Sequence, residues 1–381
     1  MKRFFLLLLL AAVMPMSLCA CNNAPAKKYP LDKFDLEAYM IPYWDSKTIY
    51  QESVMLLEDE NGDLPEIPLL YKAKKILSVR SSDLKTEYRE GRDYRLVDGK
   101  LHIPEGSTIP TVTHDFYYPA KESDTAMKLN ANYGDGFIFF SEGSVMHSMQ
   151  IAVTYTHKDK FDGEIPACKG DKLPKLQEKL KNGEPLKLCI FGDSISTGAN
   201  STQKVSAMPL ASTWFQMLAD TLEAKYPETA VSLYNPSVGG KKSDWGVEEA
   251  ERKVTYGPDL CIIGFGMNDG SAKVPAEDFL NNIQSIMKTV RSGNPDCEFV
   301  LISTMMPNAE VGKFLGKQEE YLPALMSLEE EGVVVADMTT YHKSLLVHKR
   351  YYDMSGNNVN HPNDFLARAY AHVLWQTMIG Y

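Results

Sequence analysis

Residues 188–198 have the sequence LCIFGDSISTG, in which a short apolar run meets a polar turn. The apolar run is typical of a buried strand, and the turn Gly192-Asp193-Ser194 follows it at once. In an open parallel sheet, ligands bind beyond the carboxyl ends of the strands, where the next helix offers backbone N–H groups to an anion. The stretch therefore predicts a serine hydroxyl, that of Ser194, at a binding edge.

Around this stretch, strand signals and helical periods alternate along the chain. This alternation predicts an α/β fold, with a mostly parallel sheet and helices on both of its faces. The predicted strands are residues 187–191, 231–235, 260–264, 298–303 and 333–337. The predicted helices are residues 212–226, 245–254, 276–290, 314–331 and 365–378.

Three further polar blocks lie at the ends of these predicted elements: Asn235-Pro236-Ser237-Val238-Gly239-Gly240, Gly266-Met267-Asn268-Asp269 and Asn360-His361-Pro362. Ester hydrolysis by a serine needs a nucleophile, a base within hydrogen-bond reach, and donors at the point where the oxyanion develops. His361 lies in a loop directly before a predicted helix and is the candidate base. The blocks therefore contain residue types suited to each of the three tasks.

In this order, the turn at Ser194 and the three blocks resemble the four signature blocks of the SGNH (GDSL-type) hydrolases, which are serine esterases and acylhydrolases. The resemblance covers residues 186–378. It implies a flavodoxin-like parallel sheet and a reaction that needs no metal and no organic cofactor.

The resemblance also implies roles for individual residues. Ser194 is the implied nucleophile and His361 the implied base, in a reaction that passes through an acyl-enzyme intermediate. The implied oxyanion donors are the backbone N–H groups of Ser194 and Gly240 and the side-chain amide of Asn268.

One position departs from the family pattern. The family usually has an aspartate three residues before the base, and this chain has Asn358 there. An amide carries no charge with which to stabilise the imidazolium. Three explanations are open: a backbone carbonyl orients His361, a displaced acid such as Asp364 or Asp353 does so, or the site is degenerate.

Two other residues near the blocks have more than one possible role. Trp245 either lines the acyl or sugar site or packs as a core residue of its helix. Asp193 is better suited to a turn and helix-cap role than to that of a catalytic acid.

Upstream of the hydrolase-like part, short strand-like pieces are separated by turn residues. Asp98-Gly99 between two such pieces predicts a hairpin, because glycine supplies the positive φ that tight turns need. Many short strands with regular turns predict a β-sandwich of jelly-roll type. The predicted organisation is a signal-peptide region at residues 1–21, an N-terminal β-sandwich domain at 22–160, a linker at 161–186 and the hydrolase domain at 187–381.

The beginning of the chain resembles the leader of an exported bacterial lipoprotein. Lys2 and Arg3 precede an apolar run that is short for a membrane span, and this run ends at Leu18-Cys19-Ala20-Cys21. The pattern predicts Cys21 as the lipidated first residue of a protein anchored at the cell envelope, with cleavage at an ordinary signal-peptidase site as the alternative. A lipid anchor at Cys21 is then the expected contact with a membrane.

The formal net charge of −10 argues against nucleic acid or another polyanion as the ligand. The cysteines beyond the leader show neither a metal spacing nor a disulfide framework, and we interpret them as structural. The sequence does not indicate an oligomeric state. The cysteines are Cys168, Cys189, Cys261 and Cys297.

Within the family, a β-sandwich ahead of the catalytic domain resembles the polysaccharide O-acetylesterases. We therefore expect a serine esterase that removes acetyl groups from a glycan. The alternatives are a glycan-binding surface lipoprotein whose hydrolase domain is degenerate at Asn358, and an acylhydrolase of the lipase or thioesterase kind.

Overall fold

The structure, a computed structural model, describes residues 32–381. The leader and the lipidation site predicted at Cys21 lie outside the described residues. Within this range, no helix combines the length and the apolar character that crossing a membrane requires.

The N-terminal region, residues 32–160, is built from antiparallel strands, as the sequence predicts. Its strands are β1 (Thr48–Met55), β2 (Ala73–Ser81), β3 (Glu87–Tyr88), β4 (Arg95–Val97), β5 (Lys100–His102), β6 (Ala126–Lys128), β7 (Phe137–Phe139) and β8 (Gln150–His157). Its short helices are α1 (Leu36–Tyr39), α2 (His114–Tyr117) and α3 (Val145–Ser148). A four-stranded sheet has the order β1-β8-β2-β3, and β4 pairs with β5 and β6 with β7 in two-stranded sheets. The predicted hairpin at Asp98-Gly99 joins β4 to β5, with φ of 51° and 81° at its two turn residues.

The C-terminal region, residues 186–381, contains a parallel sheet. Its strands are β9 (Leu186–Gly192), β10 (Val231–Tyr234), β11 (Leu260–Gly264), β12 (Glu298–Ser303) and β13 (Val333–Asp337). They lie in the order β10-β9-β11-β12-β13, and every neighbouring pair is parallel. This is the flavodoxin-like order, so the predicted α/β fold class is confirmed.

Helices cover both faces of this sheet. They are α4 (Pro174–Asn182), which precedes β9, and α5 (Trp214–Lys225), α6 (Ser243–Val254), α7 (Met267–Ser271), α8 (Ala276–Gly293), α9 (Tyr321–Met326), α10 (Met338–Leu346), α11 (Tyr351–Met354) and α12 (Asp364–Met378). Alternate residues of β9 pack in different cores: Leu188 and Ile190 with α5 and α12, and Cys189 and Phe191 with α6 and α8. Two buried faces explain the continuous apolar runs of the central strands.

The first strand of the N-terminal region packs against the last helix of the chain. Arg368 of α12 donates to the backbone carbonyls of Tyr50 and Gln51 in β1, at 2.7 and 3.0 Å. Lys349 and Glu52 form an ion pair of 2.6 Å in which both side chains are fully buried. Buried polar groups of β1 therefore find their hydrogen-bond and ion-pair partners in the C-terminal part of the chain, inside one core.

The region after β12 differs from the prediction of a helix at residues 314–331. The structure has a 3₁₀ turn at Gln318–Glu320 followed by the short α9. The chain just before it pairs instead with the N-terminal region, where Leu129 bridges to Val311 and Asn130 N–H donates to Glu310 O at 2.7 Å. Within the predicted range, Lys317 N–H donates to Gly270 O at 3.0 Å and Gln318 Nε2 donates to Met267 O at 3.2 Å. These bonds to the turn of α7 replace the first turns of the predicted helix.

Candidate active site

The hydroxyl of Ser194 and the imidazole of His361 are in hydrogen-bond contact. Ser194 Oγ lies 2.9 Å from Nε2 of His361. Both residues are nearly enclosed, with exposed fractions of 7% and 8%. At this distance Nε2 can accept the hydroxyl proton, so the two predicted residues have the geometry of a nucleophile and its base.

The turn that carries Ser194 is fixed by close packing and hydrogen bonds. Gly192 ends β9, and a Cβ there would lie 2.1 Å from the carbonyl oxygen of Gly264 on the neighbouring strand, so glycine is needed for the close approach. Asp193 accepts the N–H of Ile195 at 3.0 Å, which is the turn-capping role that the sequence favours. Thr197 Oγ1 donates to the Ser194 carbonyl at 2.7 Å. The nucleophile is therefore held on a rigid turn.

The loop that carries His361 is fixed from within. The side-chain oxygen of Asn357 accepts the backbone N–H groups of Val359, Asn360 and His361, each at 3.0 Å. The carbonyl of His361 accepts in turn from Ser355 Oγ at 3.0 Å. The backbone of the base is thereby set before α12 begins at Asp364.

The other ring nitrogen of His361 faces two side chains that the sequence analysis did not identify. Nδ1 lies 2.6 Å from Oδ1 of Asn200 and 3.4 Å from a carboxylate oxygen of Glu142. The amide nitrogen of Asn200 donates to the carbonyls of Gly143 and Gly356, both at 3.1 Å.

These bonds assign the tautomer of the base. Carbonyl oxygens only accept, so the nitrogen of the Asn200 amide must face Gly143 and Gly356, and its oxygen must face Nδ1 of His361. The proton of a neutral imidazole is then on Nδ1, which leaves the lone pair of Nε2 directed at the Ser194 hydroxyl. Asn200 therefore holds His361 in the form that a general base needs.

Three residues were considered from the sequence as possible partners of His361, and none of them forms a hydrogen bond with its ring in the described structure: Asn358, Asp364 and Asp353. Asn358, at the family's aspartate position, accepts from the Tyr117 hydroxyl at 3.0 Å and donates to the Phe139 carbonyl at 2.8 Å. Its side chain faces the N-terminal region. A backbone carbonyl was the other partner considered for the ring of His361. Nδ1 faces the side-chain oxygen of Asn200 instead.

The two displaced acids considered from the sequence have other partners. Asp364 accepts from Thr202, from its N–H at 2.9 Å and from its hydroxyl at 2.6 Å. Asp353 accepts the N–H of Met55 in β1 at 2.8 Å. Burial raises the pKa of both carboxyls, that of Asp353 to about 6. Both acids stabilise connections between chain segments and do not contact the base.

The predicted oxyanion donors lie at Ser194 itself, in the turn after β10 and in the first turn of α7. A Cβ on Gly239 would lie 3.6 Å from Cβ of Ser194, whereas one on Gly240 would meet nothing within 4 Å. These distances concern an added Cβ and do not decide between the backbone N–H groups of Gly239 and Gly240, of which the sequence favours Gly240. Asn268, in the first turn of α7, donates to the Lys241 carbonyl at 3.0 Å, which ties the turn after β11 to the turn after β10. The assignment of these donors stays a prediction.

Four other buried ionisable groups of this region have shifted pKa values and form no hydrogen bond with Ser194 Oγ or the His361 ring in the described structure. Burial raises the pKa of Asp193 to about 7, and burial also raises the pKa of Asp269, which accepts from Ser243. Burial lowers the pKa of His342 and of His372 to about 3, so both stay neutral within their helices. Within residues 32–381, no three or more His, Cys, Asp and Glu side chains are grouped so as to hold a metal ion.

Trp245 lies on the core side of α6. Its ring centre is 5.8 Å from that of Phe191 and 6.5 Å from that of Phe265, and the side chain is partly buried. The ammonium groups of Lys241 and Lys253 lie over the ring at 5.7 and 5.6 Å. These contacts favour the packing role for Trp245 over a role in binding a sugar.

Comparison with known families identifies this part of the chain. Residues 190–369 match the model of the GDSL-like lipase/acylhydrolase family. No curated protein sequence matches the chain.

Several solved structures are similar to the chain. A two-domain esterase (CEX) active on acetylated mannans is 20% identical over 53% of this chain and 51% of its own, with a TM-score of 0.44. The acetylxylan esterase Axe2 from Geobacillus stearothermophilus is 18% identical over 51% of this chain and 94% of its own, with a TM-score of 0.42. The chain thus spans about half the length of the two-domain esterase that it matches.

The family match includes both Ser194 and His361, the two residues that the fold brings into contact. Residues 190–369 therefore form a domain of the GDSL-like lipase/acylhydrolase family.

Proposed function

We propose that the protein is a serine esterase that removes O-acetyl groups from a polysaccharide or oligosaccharide through an acyl-enzyme intermediate. The observation that carries this proposal is the 2.9 Å contact between Ser194 Oγ and Nε2 of His361, within a domain of a hydrolase family. The bond from Nδ1 to Asn200 sets the ring for proton transfer at Nε2.

Acylation begins when Ser194 Oγ attacks the carbonyl carbon of the acetyl ester while Nε2 of His361 takes the hydroxyl proton. The tetrahedral intermediate carries its negative charge on the former carbonyl oxygen. Backbone N–H groups of Ser194 and of the Gly239-Gly240 turn, with the amide of Asn268, are the proposed donors to this oxygen. The intermediate collapses when the ester bond breaks and His361 returns its proton to the departing sugar hydroxyl.

Deacylation repeats these steps with water. Nε2 of His361 takes a proton from a water molecule, whose oxygen attacks the acetyl-serine carbonyl. Collapse of the second tetrahedral intermediate releases acetate and returns the proton to Ser194 Oγ. The cycle uses the chain's own side chains for every proton transfer.

The preference for a glycan rests on the domain order. An antiparallel β region precedes the hydrolase domain and contacts the base, as the resemblance to the two-domain carbohydrate esterases leads us to expect. We propose further that the protein is exported and anchored to the cell envelope through Cys21.

The test is hydrolysis of p-nitrophenyl acetate, butyrate and octanoate, followed by acetate release from a panel of acetylated polysaccharides. We expect the acetate ester to be the best of the three, and Ser194→Ala to lower kcat on the order of 10⁶-fold. Ser232→Ala, at an exposed position of β10, is the matched control and keeps the wild-type rate.

Two outcomes would replace the proposal. A wild type no faster than Ser194→Ala on every ester indicates the degenerate, glycan-binding alternative. A clear preference for the octanoate ester indicates an acylhydrolase of the lipase or thioesterase kind.

A further inference from the structure

We propose that Glu142 of the N-terminal region is a positioning residue that supplies the negative charge for His361. The inference rests on the proposed function, because it concerns the imidazolium that forms when Ser194 loses its proton. It assigns to the N-terminal region a part in the hydrolytic step, besides any role in binding substrate.

The contact is made at the ring nitrogen remote from the nucleophile. Oε2 of Glu142 lies 3.4 Å from Nδ1 of His361, and Oε1 accepts the side-chain amide of Asn357 at 3.1 Å. Both oxygens of the carboxylate are thus directed at the loop of the base. Burial alone would raise the pKa of the Glu142 carboxyl, but the nearby imidazole of His361 and the hydrogen bond from Asn357 lower it below its ordinary value.

Asn200 and Glu142 together perform the two functions of the single aspartate in a Ser-His-Asp triad. A triad carboxylate both fixes the tautomer of the histidine and stabilises the imidazolium. The neutral oxygen of Asn200, at 2.6 Å, fixes the tautomer. Glu142, whose carboxylate is a full negative charge, stabilises the protonated ring.

Asn358 fits this arrangement as an anchor for the segment that carries Glu142. Its amide nitrogen donates to the carbonyl of Phe139, at the end of β7, and Asn200 holds the carbonyl of Gly143. Glu142 lies between these two attachment points. Asn358, at the family's aspartate position, therefore fixes the segment of the N-terminal region that carries Glu142.

The side chain of Glu142 is 54% exposed, against 10% for His361, so water screens its charge. For this reason we expect Glu142→Gln to cost less than the loss on the order of 10⁴ seen when a buried triad carboxylate is neutralised. A neutral glutamine keeps the shape of the side chain and an oxygen for Asn357.

The experiment measures kcat and KM against pH for the wild type, Glu142→Gln and Glu142→Asp in the full chain. We expect Glu142→Gln to lower kcat by about 10- to 100-fold with KM nearly unchanged, because the charge acts when the proton moves. We expect the acidic limb of its pH profile to move about 0.5–1 unit lower, because the imidazolium has lost a neighbouring negative charge. Glu142→Asp keeps the charge and should keep the limb close to that of the wild type.

The matched control is Glu122→Gln, at an exposed glutamate of the same region, which should leave both readouts unchanged. The proposal would be overturned if kcat of Glu142→Gln lay within about twofold of kcat of this control and the acidic limb of its pH profile did not move. A rise in KM with an unmoved limb would also overturn it and make Glu142 a substrate-binding residue.

A second readout separates this inference from the proposed function. In the Ser194→Ala background, the NMR titration of the His361 ring should shift to lower pH when Glu142 becomes glutamine. If the wild type hydrolyses no ester and this shift is still observed, the proposed function fails and the positioning role stands. If the shift is absent, the positioning role fails whatever the esterase activity.

Discussion

Asn200 Oδ1 lies 2.6 Å from Nδ1 of His361, on the side of the ring opposite the nucleophile. Asn200 belongs to the same loop as Ser194, so one segment provides both the nucleophile and the group that fixes the tautomer of the base. Its φ of 61° is in the left-handed region, which asparagine tolerates better than most residues. An amide thus occupies the contact that a carboxylate makes in the usual triad.

Replacing Asn200 should therefore impair the chemical step. Asn200→Gly is the suitable variant, because glycine accepts the positive φ while the side-chain oxygen is lost. We expect kcat to fall by about 10- to 100-fold with little change in KM, since the ring is freed at Nδ1. Steady-state kinetics on p-nitrophenyl acetate measure this, and a wild-type kcat would show that His361 needs no partner from Asn200.

Asn268 is expected to act on the oxyanion. Its amide lies at the end of β11 and is already oriented by the Lys241 carbonyl. Asn268→Ala should lower kcat by about 10²–10³-fold with little change in KM, because the bond strengthens in the transition state. A change confined to KM would instead make Asn268 a substrate-binding residue.

Asn358→Asp tests whether the family's aspartate position still matters for catalysis. We expect kcat to change by less than about tenfold, because the side chain bonds to Tyr117 and Phe139 and not to His361. We expect a loss of about 1–3 kcal/mol in the free energy of unfolding, because the Phe139 carbonyl loses its donor. Urea unfolding and kinetics on the same sample measure both. A large gain in kcat would mean that the wild-type site is degenerate.

The buried carboxyl of Asp193 predicts a pH dependence of stability. Burial raises its pKa from 3.8 to about 7, so between these values the folded protein holds a proton that the unfolded chain has released. Its contribution therefore makes folding less favourable as pH rises from about 4 to about 7.

Urea unfolding of the wild type and Asp193→Asn at pH 4, 6 and 8 measures this effect. We expect the difference between the two proteins to move in favour of the variant as pH rises, whatever its value at pH 4. A difference that is constant across these pH values would contradict the burial effect.

The predicted anchor is tested by fractionation. Cys21→Ala should move the exported protein from the membrane fraction to the soluble fraction, because the lipid-bearing thiol is lost. Labelling with a radioactive fatty acid should mark the wild type and not the variant. A wild type that is wholly soluble after export contradicts the anchor.

The parallel sheet is predictable from the sequence because its central strands are buried on both faces. Strands β12 and β13 have the predicted bounds, and their side chains are almost all buried. The pairing of Ser194 with His361 is what the resemblance of their two segments to the family's blocks implies, and the fold places the two side chains 2.9 Å apart. The prediction of one helix over residues 314–331 was wrong, because residues at its start bond to the turn of α7 instead: Lys317 N–H donates to Gly270 O and Gln318 Nε2 donates to Met267 O.

The partners of Nδ1 could not be predicted in the same way. Asn200 has a weak local signal, since it lies in the loop of Ser194, but many asparagines lie in such loops. Glu142 has none, because Asn357 and Glu142 are 215 positions apart and meet through the tertiary fold alone. The family pattern predicts the acidic partner of His361 three residues before it in the sequence, whereas the carboxylate that contacts the ring belongs to the N-terminal region.

The bonds from Arg368 to Tyr50 and Gln51 have a consequence for biosynthesis. They join residues up to 318 positions apart. The ribosome therefore synthesises β1 early and the donor side chain on α12 only near the end of the chain. Until α12 leaves the ribosome, β1 lacks the donors and the apolar surface that bury it, and loop closure over this distance slows folding. A nascent chain that ends before Asp364 should therefore stay sensitive to protease in β1 until the rest of α12 is made.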